Sequence, residues 1–125
     1  MAPPRGRQTR GQQAHRLGHR AEWLACLWLL LKGYRIRARR YKTHAGEIDI
    51  IASRGGLIAF VEVKARPDHH AALEALSPRQ QQRLLRAAAL YMATRRADAD
   101  LIWRFDMILI TPWRWPRHIA DAWRA

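Results

Sequence analysis

The sequence lacks the features that hold together secreted, zinc-binding or membrane-spanning proteins. Its 125 residues include one cysteine, Cys26, which excludes an intramolecular disulfide, and no CxxC or Cys/His cluster offers a zinc site. The longest apolar run, Trp23 to Leu31, is far shorter than the roughly 20 residues needed to cross a bilayer. Basic residues before this run imitate a signal peptide, but most of the apolar residues follow the cysteine, so we expect a cytoplasmic location.

Acidic residues are scarce: 10 Asp and Glu stand against 23 Lys and Arg, a formal net charge of +13. Only three of the basic residues are lysines, and arginine's planar guanidinium suits phosphate. We therefore expect a nucleic-acid partner, DNA above all, with an anionic membrane surface as the weaker alternative. The excess is concentrated in residues 1–42, where 11 basic residues and the single acid Glu22 give 11 − 1 = +10.

Composition and periodicity predict a basic disordered tail, residues 1–13, and a single α/β domain, residues 14–125. The order α-β-β-β-α-β predicts a mixed sheet with a central antiparallel hairpin, flanked by helices. The helices are expected at 14–32 and, after the Ser77 cap and Pro78, up to about residue 96. The strands are expected at 34–41, 47–53, 57–64 and 103–110, with a short additional one at 118–123.

Several arginines are candidates for binding a phosphate backbone. Strict alternation in the first strand would place its arginines on one face and Ile36 and Ala38 on the other. A second set forms a basic stripe on the surface of the second helix, away from its apolar positions. The candidate nucleic-acid-binding residues are Arg35, Arg37, Arg39, Arg66, Arg79 and Arg83.

The central hairpin carries the most informative pattern. If its loop is centred between Gly55 and Gly56, Asp49 lies opposite Glu62 with both side chains on one face, whereas a three-residue loop would separate them. Opposed carboxylates destabilise a strand pair unless a counter-charge is present. Mg²⁺ or Mn²⁺ is one such counter-charge, and Lys64, two residues after Glu62, would stand beside it. A structural salt-bridge face is the alternative, and Glu47, expected opposite Lys64, fits that description.

Spaced motifs resemble a known nuclease core. Gly46-Glu47-Ile48-Asp49 followed by Phe60-Val61-Glu62-Val63-Lys64 is similar to the PD-(D/E)xK pattern, an acid on one strand and ExK on the next. Together with Gly18-x-x-Ala21-Glu22-x-x-Ala25, Gly33-Tyr34, the arginine at 66 and Arg104-Phe105-Asp106, these motifs resemble the YraN family over about residues 14–110. Members of that family are small bacterial proteins similar to archaeal Holliday-junction resolvases.

The resemblance implies a restriction-endonuclease-like core and a divalent-metal-dependent DNA endonuclease that hydrolyses phosphodiester bonds, with branched DNA as a candidate substrate. It implies Asp49, Glu62 and Glu22 as metal ligands for Mg²⁺ or Mn²⁺, with Lys64 as the catalytic lysine. Glu22 shares a helix face with apolar residues and needs a partner there, unless it reaches solvent. A non-catalytic DNA- or RNA-binding module of the same fold is the alternative. A homodimer is a further expectation, because cuts in both strands suit a two-fold assembly.

Two positions depart from the family pattern. Arg40 stands where relatives often have Asn, and Gln80 stands where a lysine is common near the start of the second helix. Asp106 is expected to be a structural acid paired with an arginine.

Four further residues, in two pairs, have more than one interpretation. His69-His70 is predicted to be a solvated loop pair rather than a metal site. Trp113 and Trp115 either stack on bases or cap the sheet edge.

Overall fold

The computed structural model describes residues 19–67 and 76–124. The predicted tail, the first residues of the first helix and His69-His70 lie outside those ranges. The described elements are helix α1 at 19–31, strands β1 Arg35–Lys42, β2 Glu47–Arg54 and β3 Leu57–Ala65, helix α2 Pro78–Ala93, a short 3₁₀ turn Arg96–Asp98, and strands β4 Ile102–Ile110 and β5 Arg117–Trp123.

The helix boundaries follow from local chemistry. Gly33 adopts φ +87°, a left-handed conformation that glycine enters without penalty, and this ends α1. The N–H of Tyr34 then returns to the carbonyl of Leu29 at 3.0 Å. At the start of α2 the Ser77 side chain accepts the N–H of Gln80, and Pro78 occupies the first turn, as the sequence predicts.

The five strands form one mixed sheet in the order β1-β2-β3-β4-β5. β1, β2 and β3 are antiparallel neighbours, β3 and β4 are parallel, and β5 pairs antiparallel with β4. The crossover from β3 to β4 contains α2, as a parallel connection requires. The expected α/β class, with an antiparallel hairpin inside a mixed sheet and helices beside it, is confirmed, and it is consistent with a restriction-endonuclease-like core.

Each face of the sheet packs against one of the two described helices. Ala25, Cys26 and Leu29 of α1 meet a cluster that includes Ile50 and Val61. Leu84, Ala87, Ala88 and Tyr91 of α2 meet a second cluster built around Ile51, Ile58 and Phe60. The central strands are thus apolar on both faces, and buried polar groups stand out against that background. In the described part of the chain, no helix has both the length and the apolar character needed to span a bilayer.

The predicted alternation in β1 is wrong, because the register between β1 and β2 shifts by one residue between Ile36 and Ala38. This bulge turns Ile36 toward the α1 cluster and Ala38 toward the α2 cluster. The arginines are redistributed with them: Arg37 pairs with Asp98 after α2, whereas Arg39 lies 4.1 Å from the ring of Trp23 on α1. β1 therefore presents its arginines in two directions.

Candidate functional site

The carboxylates that the sequence singles out lie where the central hairpin opens. The paired residues of β2 and β3 run from Arg54 and Leu57 to Ile50 and Val61, which confirms the predicted two-glycine turn and its register. Beyond Ile50 the side chain of Asp49 accepts the N–H of Val63 at 2.8 Å. The carboxylate thus takes the place of a backbone acceptor and lies beside β3, next to Glu62.

Glu62 is buried, at 7% exposure, and carries most of the contacts in the site. The Lys64 ammonium is 3.1 Å from its Oε1, and the Gln80 side-chain amide donates to the same oxygen at 3.0 Å. Gln80 is the first-turn residue of α2 that departs from the family pattern, and the structure places it in contact with the predicted catalytic acid. Lys64 pairs with Glu62 rather than with Glu47, the partner considered from the sequence.

Asp49 and Glu62 lie close enough for each carboxyl group to affect the pKa of the other. Burial and the charge of Glu62 raise the pKa of Asp49 to about 8, although the Val63 N–H acts in the opposite direction. Burial also raises the pKa of Glu62, against the opposing effect of the nearby Lys64 ammonium. Near neutral pH a proton on Asp49 is therefore favoured in the folded protein, whereas an isolated aspartate would be ionised. A pair of this kind favours any cation that can replace the proton.

Glu22 is also buried, and its partner is a residue that the sequence did not assign to it. Its Oε2 accepts a 2.9 Å hydrogen bond from Nε of Arg40, which confirms that a carboxylate on this helix face needs a partner. Arg40 adopts φ +51°, an unusual backbone conformation for a long side chain. The charge of Glu22 contributes to the raised pKa of Asp49. The departure from the family pattern at Arg40 was the available signal for this contact.

The three predicted metal ligands are not assembled into one group. Within residues 19–67 and 76–124, no three His, Cys, Asp or Glu side chains are gathered closely enough to hold a metal ion by themselves. Glu22 is paired with Arg40, and Asp49 and Glu62 are the two of these carboxylates that lie together. Two carboxylates remain sufficient for Mg²⁺, because that ion commonly completes its shell with water and substrate phosphate oxygens.

The candidate nucleic-acid contacts differ in how free they are. Arg37 donates from Nε to Ser53 and from Nη1 to Asp98, so part of its guanidinium is committed within the protein. Arg83 stands beside the site, because a Cβ on Gly46, just before β2, would meet the Arg83 Cβ at 3.5 Å. Exposed positions that can face a polyanion are Arg35, Arg39, Arg66, Arg79 and Arg83.

Asp106 occupies a separate buried network, on the other side of β3. It is fully buried, receives Nε and Nη2 of Arg104 at 2.7 and 2.6 Å, and lies 2.7 Å from Nε2 of His118. Burial alone would raise the pKa of Asp106, but the hydrogen bonds from His118, Arg104 and the Asp121 N–H hold it below the ordinary value. The prediction of a structural acid paired with an arginine is confirmed.

The fold and this site define an α/β protein with a restriction-endonuclease-like core, whose central hairpin brings a buried carboxylate pair beside a lysine. The sequence model of the uncharacterised protein family UPF0102 matches residues 21–110. The chain belongs to that family, which is the YraN family that its motifs resemble.

Bacterial relatives align over nearly the whole chain. The UPF0102 protein of Parvibaculum lavamentivorans is 58% identical over 123 residues, which cover 98% of this chain and 92% of the relative. UPF0102 protein amb4503 of Paramagnetospirillum magneticum is 54% identical, with 90% and 91% coverage. UPF0102 protein mlr4633 of Mesorhizobium japonicum is 50% identical, with 89% coverage of both chains.

Proposed function

We propose that this protein is a divalent-metal-dependent endonuclease that hydrolyses phosphodiester bonds in DNA, with branched DNA as a candidate substrate. The observation that carries the proposal is the buried Glu62 carboxylate, which has the Lys64 ammonium 3.1 Å from its Oε1 and the carboxyl group of Asp49 close enough for their charges to interact. Such a carboxylate pair in a protein of net charge +13 is difficult to explain by phosphate binding alone, since anions repel each other.

The chemistry of the pair fits Mg²⁺ or Mn²⁺. Both groups are hard oxygen donors, and burial together with the charge of Glu62 raises the pKa of Asp49, so a cation beside the pair would be favoured. Asp49 and Glu62 would hold the ion, and Glu22 would contribute through its charge or through water. A bound ion supplies Lewis-acid polarisation of the phosphate and lowers the pKa of water.

The neighbouring side chains support the same reaction class. Lys64 provides a fixed positive charge that can orient the attacking water or stabilise negative charge that develops at phosphorus. The Gln80 amide and Lys64 together fix the orientation of the Glu62 carboxylate. Exposed Arg79 and Arg83, on the first half of α2, can hold the DNA backbone.

The single test is cleavage of supercoiled, linear and four-way-junction DNA with Mg²⁺, with Mn²⁺ or with EDTA. We expect metal-dependent cutting that Glu62→Gln and Lys64→Ala each reduce by at least about 100-fold. Asp100→Asn, which neutralises an exposed acid remote from the site, is the matched control and keeps the wild-type rate. Cutting that survives both site variants would overturn the assignment of these residues.

One observation favours a non-catalytic nucleic-acid-binding module instead. Oε1 of Glu62 already accepts hydrogen bonds from Lys64 and Gln80, so part of the cluster is satisfied as a structural network. In that case DNA binding persists in Glu62→Gln and no metal ion or DNA form gives cutting.

For either function we expect binding to weaken steeply with salt, in proportion to the phosphates that are neutralised. The cytoplasmic location and the homodimer expected from the sequence remain part of the proposal.

A further inference from the structure

A groove of about 1090 Å³ lies between α1 and the loop that joins β4 to β5. Its α1 wall includes Leu24, Leu27 and Leu31, which are 47%, 53% and 73% exposed. Leucines in the described core are almost completely buried, so this wall differs from the rest of the fold. Concave apolar surface of this kind is typical of a binding site.

Two tryptophans form the opposite wall. Trp113 is 102% exposed and Trp115 is 79% exposed, while the ring of Trp115 is tilted at 30° to Trp28 on α1, with centroids 5.8 Å apart. Trp113 has φ +63°, which is rare for a bulky side chain, and it follows Pro112. Capping of the sheet edge is therefore wrong for Trp113, because a fully exposed ring covers nothing. The loop instead presents the ring to the groove.

The charge of the groove indicates what it binds. Arg20, Arg66 and Arg114 line it, and no carboxylate is among its described lining residues. A second copy of the chain would bring these arginines against other arginines in a protein of net charge +13. A planar membrane would not fill a concave surface. Flat aromatic rings alternating with guanidinium groups match a strand of unpaired bases joined by phosphates.

Some residues that line the groove are neighbours in the chain of residues in the carboxylate site. Arg20 and Ala21 of its α1 wall directly precede Glu22, and Ala65 and Arg66 of the sheet wall directly follow Lys64. Elements α1 and β3 therefore carry residues of both the groove and the carboxylate site.

We propose that the groove between α1 and the β4–β5 loop binds an unpaired stretch of DNA, with bases stacked on Trp113 and Trp115 and phosphates at Arg20, Arg66 and Arg114. This inference rests on the proposed function, because it names the form of DNA that the nuclease would engage. A DNA with both duplex and single-stranded arms, such as a flap or a fork, satisfies the two surfaces together.

The test is fluorescence anisotropy of a labelled oligothymidine of about 20 nucleotides, in EDTA so that no cutting occurs. The double variant Trp113→Ala with Trp115→Ala should weaken oligothymidine binding by about tenfold or more, and binding of a blunt duplex should change by less than about twofold. The matched control is Leu30→Ala, which removes an exposed apolar side chain of α1 that does not line the groove. Replacement of both groove tryptophans by Phe, which retains an aromatic face, should restore most of the affinity.

Two further measurements make the outcome decisive. Unchanged oligothymidine binding in the double variant would overturn the inference. The inference would also be overturned if the double variant lost only its binding to phosphatidylglycerol vesicles, or lost only a dimer that the wild type forms in sedimentation equilibrium. Glu62→Gln should retain oligothymidine binding, because that carboxylate is not part of the groove. If the protein cuts DNA but its oligothymidine binding does not depend on the tryptophans, the nuclease proposal stands and the groove proposal is wrong. If binding depends on the tryptophans but no DNA is cut, the groove proposal stands and the nuclease proposal is wrong.

Discussion

Replacement of Asp49 by Asn tests the carboxylate pair without a nuclease assay. The amide keeps an oxygen that can accept the Val63 N–H, so the strand geometry is retained and only the charge and the acidic proton are lost. The pKa of Asp49 is about 8 in the folded protein against 3.8 ordinarily. Between those values the folded state holds a proton that the unfolded state has released, so stability falls as pH rises and levels off above about 8.

The magnitude follows from the pKa shift. One pH unit at full slope corresponds to about 1.4 kcal/mol, so the range from pH 5 to pH 8 gives a ceiling of about 4 kcal/mol. Because Glu62 shares the proton, we expect about half of this effect, ~2 kcal/mol. Native proteins are stable by about 5–15 kcal/mol, so this difference is measurable. In EDTA, the free energy of unfolding of Asp49→Asn relative to that of the wild type should therefore rise by about 2 kcal/mol between pH 5 and pH 8.

The assay is urea unfolding in EDTA at several pH values, repeated with Mg²⁺. A bound ion replaces the shared proton, so Mg²⁺ should stabilise the wild-type protein at pH 8 and have much less effect on Asp49→Asn. Parallel pH profiles for the two proteins would refute the coupled pair. Equal stabilisation of both proteins by Mg²⁺ would leave the pair intact and refute its role in holding the ion.

Two stability predictions follow from the other buried acids. Asp106→Asn should lower the free energy of unfolding by about 3–5 kcal/mol, because Arg104 loses a buried charged partner. Urea unfolding measures this difference, and a loss below about 1 kcal/mol would contradict the prediction. Arg40→Ala should lower the free energy of unfolding by about 2–3 kcal/mol, because it leaves Glu22 buried without its partner. The control Arg35→Ala, at an exposed position of the same strand, should change it by less than about 0.5 kcal/mol. Equal losses in the two arginine variants, measured by thermal unfolding, would show that the pairing is unimportant.

The register of the central hairpin could be predicted from the sequence because it depends on local chemistry. Gly55 adopts φ +60° in the tight turn, and apolar residues on both sides of Gly55-Gly56 leave one pairing that buries them all. That register brings Asp49 to the point where β2 and β3 separate, beside Glu62 on β3. This is the part of the site that sequence reasoning describes best.

The bulge in β1 and the partners of the acids could not be predicted in the same way. Apolar and basic residues alternate regularly from Arg35 to Arg39, and no residue there indicates that the strand contains a bulge. Arg40 reaches Glu22 across 18 residues, and Gln80 reaches Glu62 across another 18, so both contacts depend on how the helices pack. The exposure of Trp113 likewise required the loop conformation.

The opening of the hairpin at Asp49 has a consequence for how a ligand would be received. One carboxyl oxygen, Oδ2, is committed to the Val63 N–H, which fixes the plane of the group before anything binds. The Asp49 side chain joins β2 to β3 through this hydrogen bond, so it cannot change rotamer without breaking the bond. Part of the entropy of ordering the carboxyl group has therefore been lost during folding, and an incoming cation would meet a group that already points in one direction.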